Sequence, residues 1–172
     1  MAILRGDGRA FCAGADFAAV AAVDGEALGD ATESFAGFVS MERSTPVIAA
    51  VHGYALAGGL ELALACAVVI AAGMQLGLPE VTRGLVAAAG GAIRLPRLIP
   101  ERRGLELAEA IAANAPAAVR ESLRLVRATR GLPETQAWEH SASAWRSVAQ
   151  TADAREGAAA FLERRAPRWS GA

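Results

Sequence analysis

Two glutamates stand where the surrounding sequence offers a carboxylate no company. Glu61 lies in the run Gly58 to Ala65, GGLELALA, whose other members are all glycine, leucine or alanine. Burying an unpaired carboxylate is costly, or else its pKa climbs until the group is neutral near physiological pH. Such a group is a candidate for chemistry. The plainer alternative is a glutamate that faces a solvent edge or pairs with a buried arginine. Glu80 follows Gly77-Leu78-Pro79. There, proline and glycine fix the backbone, and a turn ending a buried strand can aim one side chain into a cleft. Taken alone, Glu80 reads as a surface-turn or first-turn helix glutamate. Taken with Glu61, it completes a pair that can share one water, one member as base and the other as acid, if their surroundings drive the pKa values apart.

Glycine loops supply a third element. FCAGADF, Phe11 to Phe17, and ALAGGLE, Ala55 to Glu61, each place small residues just before a predicted helix. Main-chain N–H groups at a helix start are positive and unclaimed, which is how an oxyanion is held. Each loop by itself also reads as an ordinary turn. A phosphate cradle at Gly58-Gly59 does not fit, because the GxGxxG spacing is missing.

Composition narrows the chemistry further. The chain has 172 residues, 53% hydrophobic and 20% charged, with a formal charge of −1. That is one globular domain's worth of polymer, and no net positive field draws it to nucleic acid or to anionic lipid. All 17 basic residues are arginine. Without lysine, Schiff-base, pyridoxal and P-loop chemistry are excluded. Cys12 and Cys66 show no CxxC pattern and no flanking histidines, so neither a metal site nor a disulfide framework is expected, and a cytoplasmic location fits. The start, MAILRGDGRAF, does not read as an export signal. His52 is expected to be a turn or core histidine, and Asp16 a helix cap. Arg94 and Arg97 have the reach to meet a carboxylate or a neighbouring subunit. Phe161 and Trp169 are assigned to packing ahead of any pocket-covering role. The apolar run Tyr54 to Met74 approaches the length of a membrane span. Its paired glycines, Glu61 and the β-branched Val68-Val69-Ile70 favour a buried helix followed by a buried strand.

Positioning these residues requires alternating strands and helices. Ala2 to Leu4 reads as the end of a strand, Arg5 to Arg9 as a turn, and Phe17 to Val23 as a helix capped by Asp16. Val47 to Val51 is a buried strand, Tyr54 to Gly59 a loop, Leu60 to Cys66 a helix and Val68 to Ala71 another strand. From Glu101 the pattern turns helical. Leu105 to Ala113 is one helix; Pro116 opens a second that runs to Thr129, and a third follows Pro133. Thr151 caps the last helix, with Asp153 and Glu156 in its first turn.

The runs GRAFCAGADF, STPVIAAVHGYALAGGLELALAC, LGLPEVTRGLVAAAGGAIRLPRLIP and TADAREGAAAFLERRAPRW together resemble the crotonase superfamily, the enoyl-CoA hydratase/isomerase group. The resemblance implies an α/β fold, a spiral of ββα units, in residues 1–100, with a C-terminal helical trimerisation region in 101–172. It implies an acyl-CoA thioester substrate, a homotrimer or dimer of trimers, and no cofactor beyond the coenzyme A of the substrate. Carried over by position, the catalytic pair falls on Glu61 and Glu80. The oxyanion hole falls on the N–H groups of Ala15 and Gly58, and substrate contacts fall on Ala13, Asp16 and Gly59. Hydratases of this group use both glutamates, whereas isomerases often keep only the second. The expected activity is therefore hydration of an enoyl-CoA. Double-bond isomerisation is the alternative, followed by an inactive acyl-CoA-binding relative.

The sequence also departs from the group. Ala67 replaces a common aspartate, and Ala87-Ala88 stands where Pro-Gly is frequent. The group's first strands have no counterpart ahead of GRAFCAG, a stretch is absent between Pro100 and Glu101, and one residue is absent near Ala72-Gly73. A deletion across a core strand strips its neighbours of partners. These gaps predict segments joined from a longer protein, visible as Cα atoms at 72–73 or 100–101 lying farther apart than the ~3.8 Å of a trans peptide.

Overall fold

The computed structural model describes residues 1–16, 18, 35–98 and 113–171. Strand β1 (Ala2–Arg5) leads to a 3₁₀ turn at Phe35–Gly37, then β2 (Val47–Leu56), helix α1 (Gly58–Leu64) and β3 (Val68–Gly77). A second 3₁₀ turn, Glu80–Arg83, precedes α2 (Gly91–Leu98), α3 (Pro116–Thr129), α4 (Glu134–Ala149) and α5 (Ala152–Leu162). The strands form one parallel sheet in the order β1-β2-β3, with Ala2 opposite Val47 and Ile48 opposite Val68.

Parallel strands joined through a helix read as nearly continuous apolar runs where both faces are covered. The two edge strands are partly open: Ile3 of β1 is 66% exposed and Val69 of β3, expected to be buried, 42%. Here the runs are longer than the sequence suggests. β2 continues to Leu56, so Tyr54 to Leu56, expected to be loop, is strand; β3 continues to Gly77 instead of stopping at Ala71. Gly53, at φ 64°, explains the short reading of β2. It sits at a register shift between His52 and Tyr54, where a Cβ would come within 2.4 Å of the Arg9 carbonyl oxygen. Glycine there marks a bulge inside the strand, not its end. β3 passes through Ala72 and Gly73 as a single strand, while 100–101 lies outside the described residues.

Helix α1 begins two residues earlier than expected, directly off β2. The helix expected at 17–23 lies outside the described residues except for Ala18, whose N–H donates to Asp16 Oδ1 at 2.8 Å, as a cap requires. The helix expected at 105–113 lies outside them except for Ala113. Pro116 opens α3, and the Thr151 hydroxyl accepts the Ala154 N–H at 3.1 Å, as read from the sequence. Among the described residues, no helix is long and apolar enough to cross a membrane, and the run from Tyr54 is strand, helix and strand.

Two main cores result. Phe11, Ala49, Val51, Ala55 and Ala63 pack between the sheet and α1. A second core joins Leu85, Val86, Ala88 and Ala92 to Leu125, Ala144, Trp145 and Ala154, so α3, α4 and α5 are packed directly on the segment after Glu80. Trp169 packs on a smaller third cluster of Ala115, Ala118 and Val148, its indole N–H donating to the Ala113 carbonyl at 2.9 Å, and Phe161 lies half exposed beneath the Arg83 guanidinium.

The closest of these contacts is at Gly157, where a Cβ would lie 2.1 Å from the Arg83 carbonyl oxygen in the turn that carries Glu80. Alanine in a helix interior is normally about 1 kcal/mol better than glycine. A main-chain oxygen cannot swing away as a side-chain end can, so the steric cost wins. Gly157→Ala is expected to lower stability by roughly 1–3 kcal/mol. An unchanged or higher denaturation midpoint would contradict this packing.

Candidate active site

Glu61 and Glu80 come from adjoining elements and are both buried, at 4% and 9% exposure. Glu61 sits in the first turn of α1, turned toward α2. Its Oε1 accepts the Gly91 N–H at 2.9 Å. A Cβ on Gly91 would stand 2.9 Å from that same oxygen and 3.0 Å from the Leu78 methyls, so only glycine lets the amide come this near. Burial raises the Glu61 carboxyl to about 7, against the pull of the Gly91 and Ala89 N–H groups and of the Arg94 charge.

Glu80 opens the 3₁₀ turn after Pro79, and Gly84 closes that turn at φ 70°. Its two carboxyl oxygens are buried with no hydrogen-bond partner. Burial first, and the Glu61 charge second, together raise Glu80 to about 8. Its own N–H opposes weakly, although that N–H does not reach either oxygen in hydrogen-bond geometry. The two groups therefore sense one another, and they differ in one respect. Glu61 accepts a main-chain N–H, from Gly91, which favours its charged form; Glu80 accepts none.

The glycine loops meet beside this pair. Cys12 bridges to Ala55 in parallel, and the Leu56 N–H donates to the Cys12 carbonyl at 3.0 Å. A Cβ on Gly14, at φ 100°, would stand 3.1 Å from the Gly58 nitrogen, and one on Gly59 would fall 2.2 Å from the Cys12 oxygen. The two main chains are thus packed without side chains between them. Ala57, the N-cap of α1, has φ 50° and ψ −130° and offers no side-chain cap. With no capping oxygen to take them, the first amides of α1 stay available. The Phe35 ring lies against the Gly58 Cα, where a Cβ would meet it at 2.4 Å.

Of the residues singled out in the sequence, Glu61, Glu80, Gly58 and Gly59 are buried and gathered at one place, with Ala13 and Ala15 exposed on the adjoining loop. Asp16 is exposed and spends one oxygen on its cap. His52 ties Nε2 to the Gly8 carbonyl at 3.1 Å, along a hollow of about 430 Å³ that also includes Arg5 and Asp7 and neither glutamate. Arg94 pairs with Glu134 at the start of α4, bonds the Val39 carbonyl at 2.6 Å and lies over the Trp138 ring. Arg97 reaches the Leu132 carbonyl at 2.9 Å. The supporting role of Gly91 escapes a reading of sequence, although the pair Gly90-Gly91 is a visible sign that two main chains approach closely.

Comparison with known proteins bears on the same residues. Residues 1–104 match the family described as enoyl-CoA hydratase/isomerase. The carnitinyl-CoA dehydratase of Proteus mirabilis is 33% identical over 212 residues, covering 99% of this chain and 81% of that protein. Its matched span is longer than the whole of this chain, so that relative carries internal residues that have no counterpart here. The mevalonyl-coenzyme A hydratase SIDH of Beauveria bassiana is 43% identical over 118 residues, 62% of this chain and 42% of its own length. Among solved structures, EchA1_1 from Mycobacterium paratuberculosis superposes with a TM-score of 0.71 at 33% identity, covering 99% of this chain and 81% of that one. A carnitinyl-CoA dehydratase from Mycobacterium avium gives 0.69 at 32%, covering 99% and 80%. Matched across more than half its length as a family domain, and across nearly all of it to individual relatives and crotonase-fold structures, the chain belongs to the enoyl-CoA hydratase/isomerase family of the crotonase superfamily.

Proposed function

We propose that the protein adds water across the 2,3 double bond of an enoyl-CoA thioester. The observation that carries this reading is a pair of buried carboxyl groups, their pKa values both raised by burial, of which Glu61 accepts the Gly91 N–H and Glu80 accepts nothing. Their surroundings thus differ in the direction an acid and a base require. Hydration needs a base and an acid present together at neutral pH, and one donor-bonded and one bare carboxyl can supply them. Relatives named as a hydratase and as a dehydratase describe two directions of one such water addition.

In the proposed step, Glu61 accepts a proton from water, and the oxygen of that water bonds to the β-carbon. The alkene electron pair moves onto the thioester oxygen, where the N–H groups of Ala15 and Gly58 hold the enolate. Glu80 then gives its proton to the α-carbon as the carbonyl re-forms. The product is a 3-hydroxyacyl-CoA, and exchange with solvent returns Glu61 to its charged and Glu80 to its neutral form. Ala13, Asp16 and Gly59 line the approach along the Cys12 to Gly59 face. The proposed protein is a homotrimer or a dimer of trimers in the cytoplasm, with no cofactor of its own.

Glu61→Gln and Glu80→Gln are each expected to cut crotonyl-CoA hydration by roughly 10²- to 10⁴-fold with the fold retained. A rate within a few-fold of the parent in either variant would defeat the reading. If Glu61→Gln left a product with a shifted double bond and no added water, isomerisation through Glu80 alone would replace it.

The pH dependence of kcat/KM is expected to be bell-shaped with limbs near 7 and 8, belonging to the pair as a whole. Below the first limb the base is protonated; above the second the acid is spent. A flat rate from pH 6 to pH 9 would contradict it.

Stability should carry the same signature. A carboxyl whose folded pKa is raised contributes fully below its unfolded value of 4.5, and that contribution is lost as pH rises through the folded value of about 8. Glu80→Gln, neutral throughout, should therefore match the parent near pH 5 and exceed it by at least about 1 kcal/mol near pH 9. Equal denaturation midpoints at both pH values would show that Glu80 is not held in a dry site.

A further inference from the structure

The segment that leads into β2 holds helix α1 at both of its ends. Near the close of that segment, Arg43 Nη2 donates to the carbonyl of Ala65, the C-cap of α1, at 2.9 Å, and the guanidinium lies 3.8 Å from the centre of the Phe38 ring. In its middle, Val39 is buried and its carbonyl accepts Arg94 of α2 at 2.6 Å. At its start, the Phe35 carbonyl accepts the Phe38 N–H at 3.1 Å, closing the 3₁₀ turn, and the Phe35 ring turns its tip to Gly58, the first residue of α1. A Cβ on Gly58 would stand 2.4 Å from Cζ and 2.6 Å from Cε1 of that ring, so the ring occupies the place of a side chain there. Side-chain bonds on a helix lean toward its N-terminal end. The ring therefore stands at the end of α1 to which the Gly58 amide opens, while a Cβ on Gly14 would stand 3.1 Å from the nitrogen itself. Nothing in the proposed hydration requires an aromatic ring at this point.

We propose that Phe35 is a specificity-determining residue, admitting acyl-CoA thioesters that are unbranched at the α-carbon and rejecting those that carry a methyl group there. The inference rests on Gly58 being one of the two amides that hold the thioester oxygen. With that oxygen at the Gly58 N–H, the acyl α-carbon is only two bonds from it, and a group on the α-carbon comes within reach of whatever lies against Gly58. The far end of a longer acyl chain is many bonds away. A ring fixed at Gly58 therefore acts on branching beside the thioester and not on chain length. The coenzyme side of the thioester is common to every substrate, so contact with it does not discriminate. The fastening of the segment matters equally. A ring free to swing would yield to an extra methyl, whereas this one rides on a turn tied through Val39 and Arg43 to α2 and α1.

The test compares the full chain with Phe35→Ala on two pairs of enoyl-CoA substrates. Crotonyl-CoA and 2-methylcrotonyl-CoA differ only by the α-methyl group; crotonyl-CoA and hex-2-enoyl-CoA differ only in length. Relative to crotonyl-CoA, the variant should raise kcat/KM for the methylated substrate by at least about 10-fold and leave the length ratio within about three-fold. Hydration of crotonyl-CoA itself should stay within about five-fold of the parent, since both glutamates are untouched. The same discrimination is read without turnover by calorimetry of propionyl-CoA and isobutyryl-CoA, saturated thioesters that differ by the same methyl. The parent should bind isobutyryl-CoA about 10-fold more weakly than propionyl-CoA, and Phe35→Ala should close that gap.

A purely structural ring would lower the denaturation midpoint and depress branched and unbranched substrates alike. A branched-to-unbranched ratio that stays put in Phe35→Ala, or that moves together with the length ratio, therefore overturns the inference. So does a parent that takes both members of the first pair equally. If Phe35→Ala does not fold, Phe35→Leu, which loses the tip of the ring and keeps an apolar side chain, is read by the same ratios. A parent that binds the saturated thioesters and hydrates no enoyl-CoA sinks the hydratase reading alone, and the calorimetric ratio then decides for or against Phe35. If neither saturated thioester binds, both readings fall.

Discussion

Two carboxyl groups confined in one poorly solvated space cannot both be ionised without mutual repulsion. Much of the described structure can be read as the means of keeping them there. In bulk water Glu61 and Glu80 would be charged together at neutral pH; buried, each resists ionisation, and the charge on either discourages the other. What separates them is local. The Gly91 amide favours the charged form of Glu61, while Glu80 has no donor in hydrogen-bond geometry. The difference follows from one glycine beside the first group and a bare 3₁₀ turn under the second.

Both glutamates are carried by the first half of the chain and enclosed by the second. α5 presses on the turn of Glu80 through Gly157 and through Gly84, where a Cβ would come within 2.5 Å of the Asp153 oxygen. Asp153 is itself buried and accepts N–H groups from Ser170 and Gly171, which folds the tail onto the same place. α4 covers the Ala88 to Gly90 segment. The C-terminal helices, which the resemblance marks out for oligomer contacts, pack within this chain against the turn of Glu80 and the Leu85 to Ala92 segment.

Much of this was legible in the sequence, and for identifiable reasons. Glu61 and Glu80 stood out because charge in an apolar run is rare and costly, and the glycine loops because small residues before a helix leave amides bare. Pro116 and Thr151 announced helix starts through chemistry confined to one turn. The full lengths of β2 and β3 did not show, because Gly53 and Gly73 mimic strand ends where they mark an irregular register. Nor did the bond from the buried Ser141 hydroxyl to the Ala88 carbonyl: serine inside a helix usually bonds its own backbone or solvent, and no local pattern says that its partner lies on a loop far away in the chain. Arg94 was noticed as a cation in search of a carboxylate, but the carboxylate proved to be Glu134, for the same reason of distance in sequence. Contacts within a few residues can be read from spacing; those that close the fold between its two halves cannot.

The backbone at Ala57 carries one more consequence. A non-glycine residue at φ 50° and ψ −130° is strained by roughly 1–3 kcal/mol, and it persists because its N–H is fixed to the Gly77 carbonyl at 3.0 Å. The peptide that follows, whose amide belongs to Gly58, is therefore set in direction during folding and not on arrival of a ligand. When negative charge grows opposite such an amide, little dipole reorganisation remains to be done. In the proposed hydration, strain already held at Ala57 in the resting molecule would spare that reorganisation when the enolate forms.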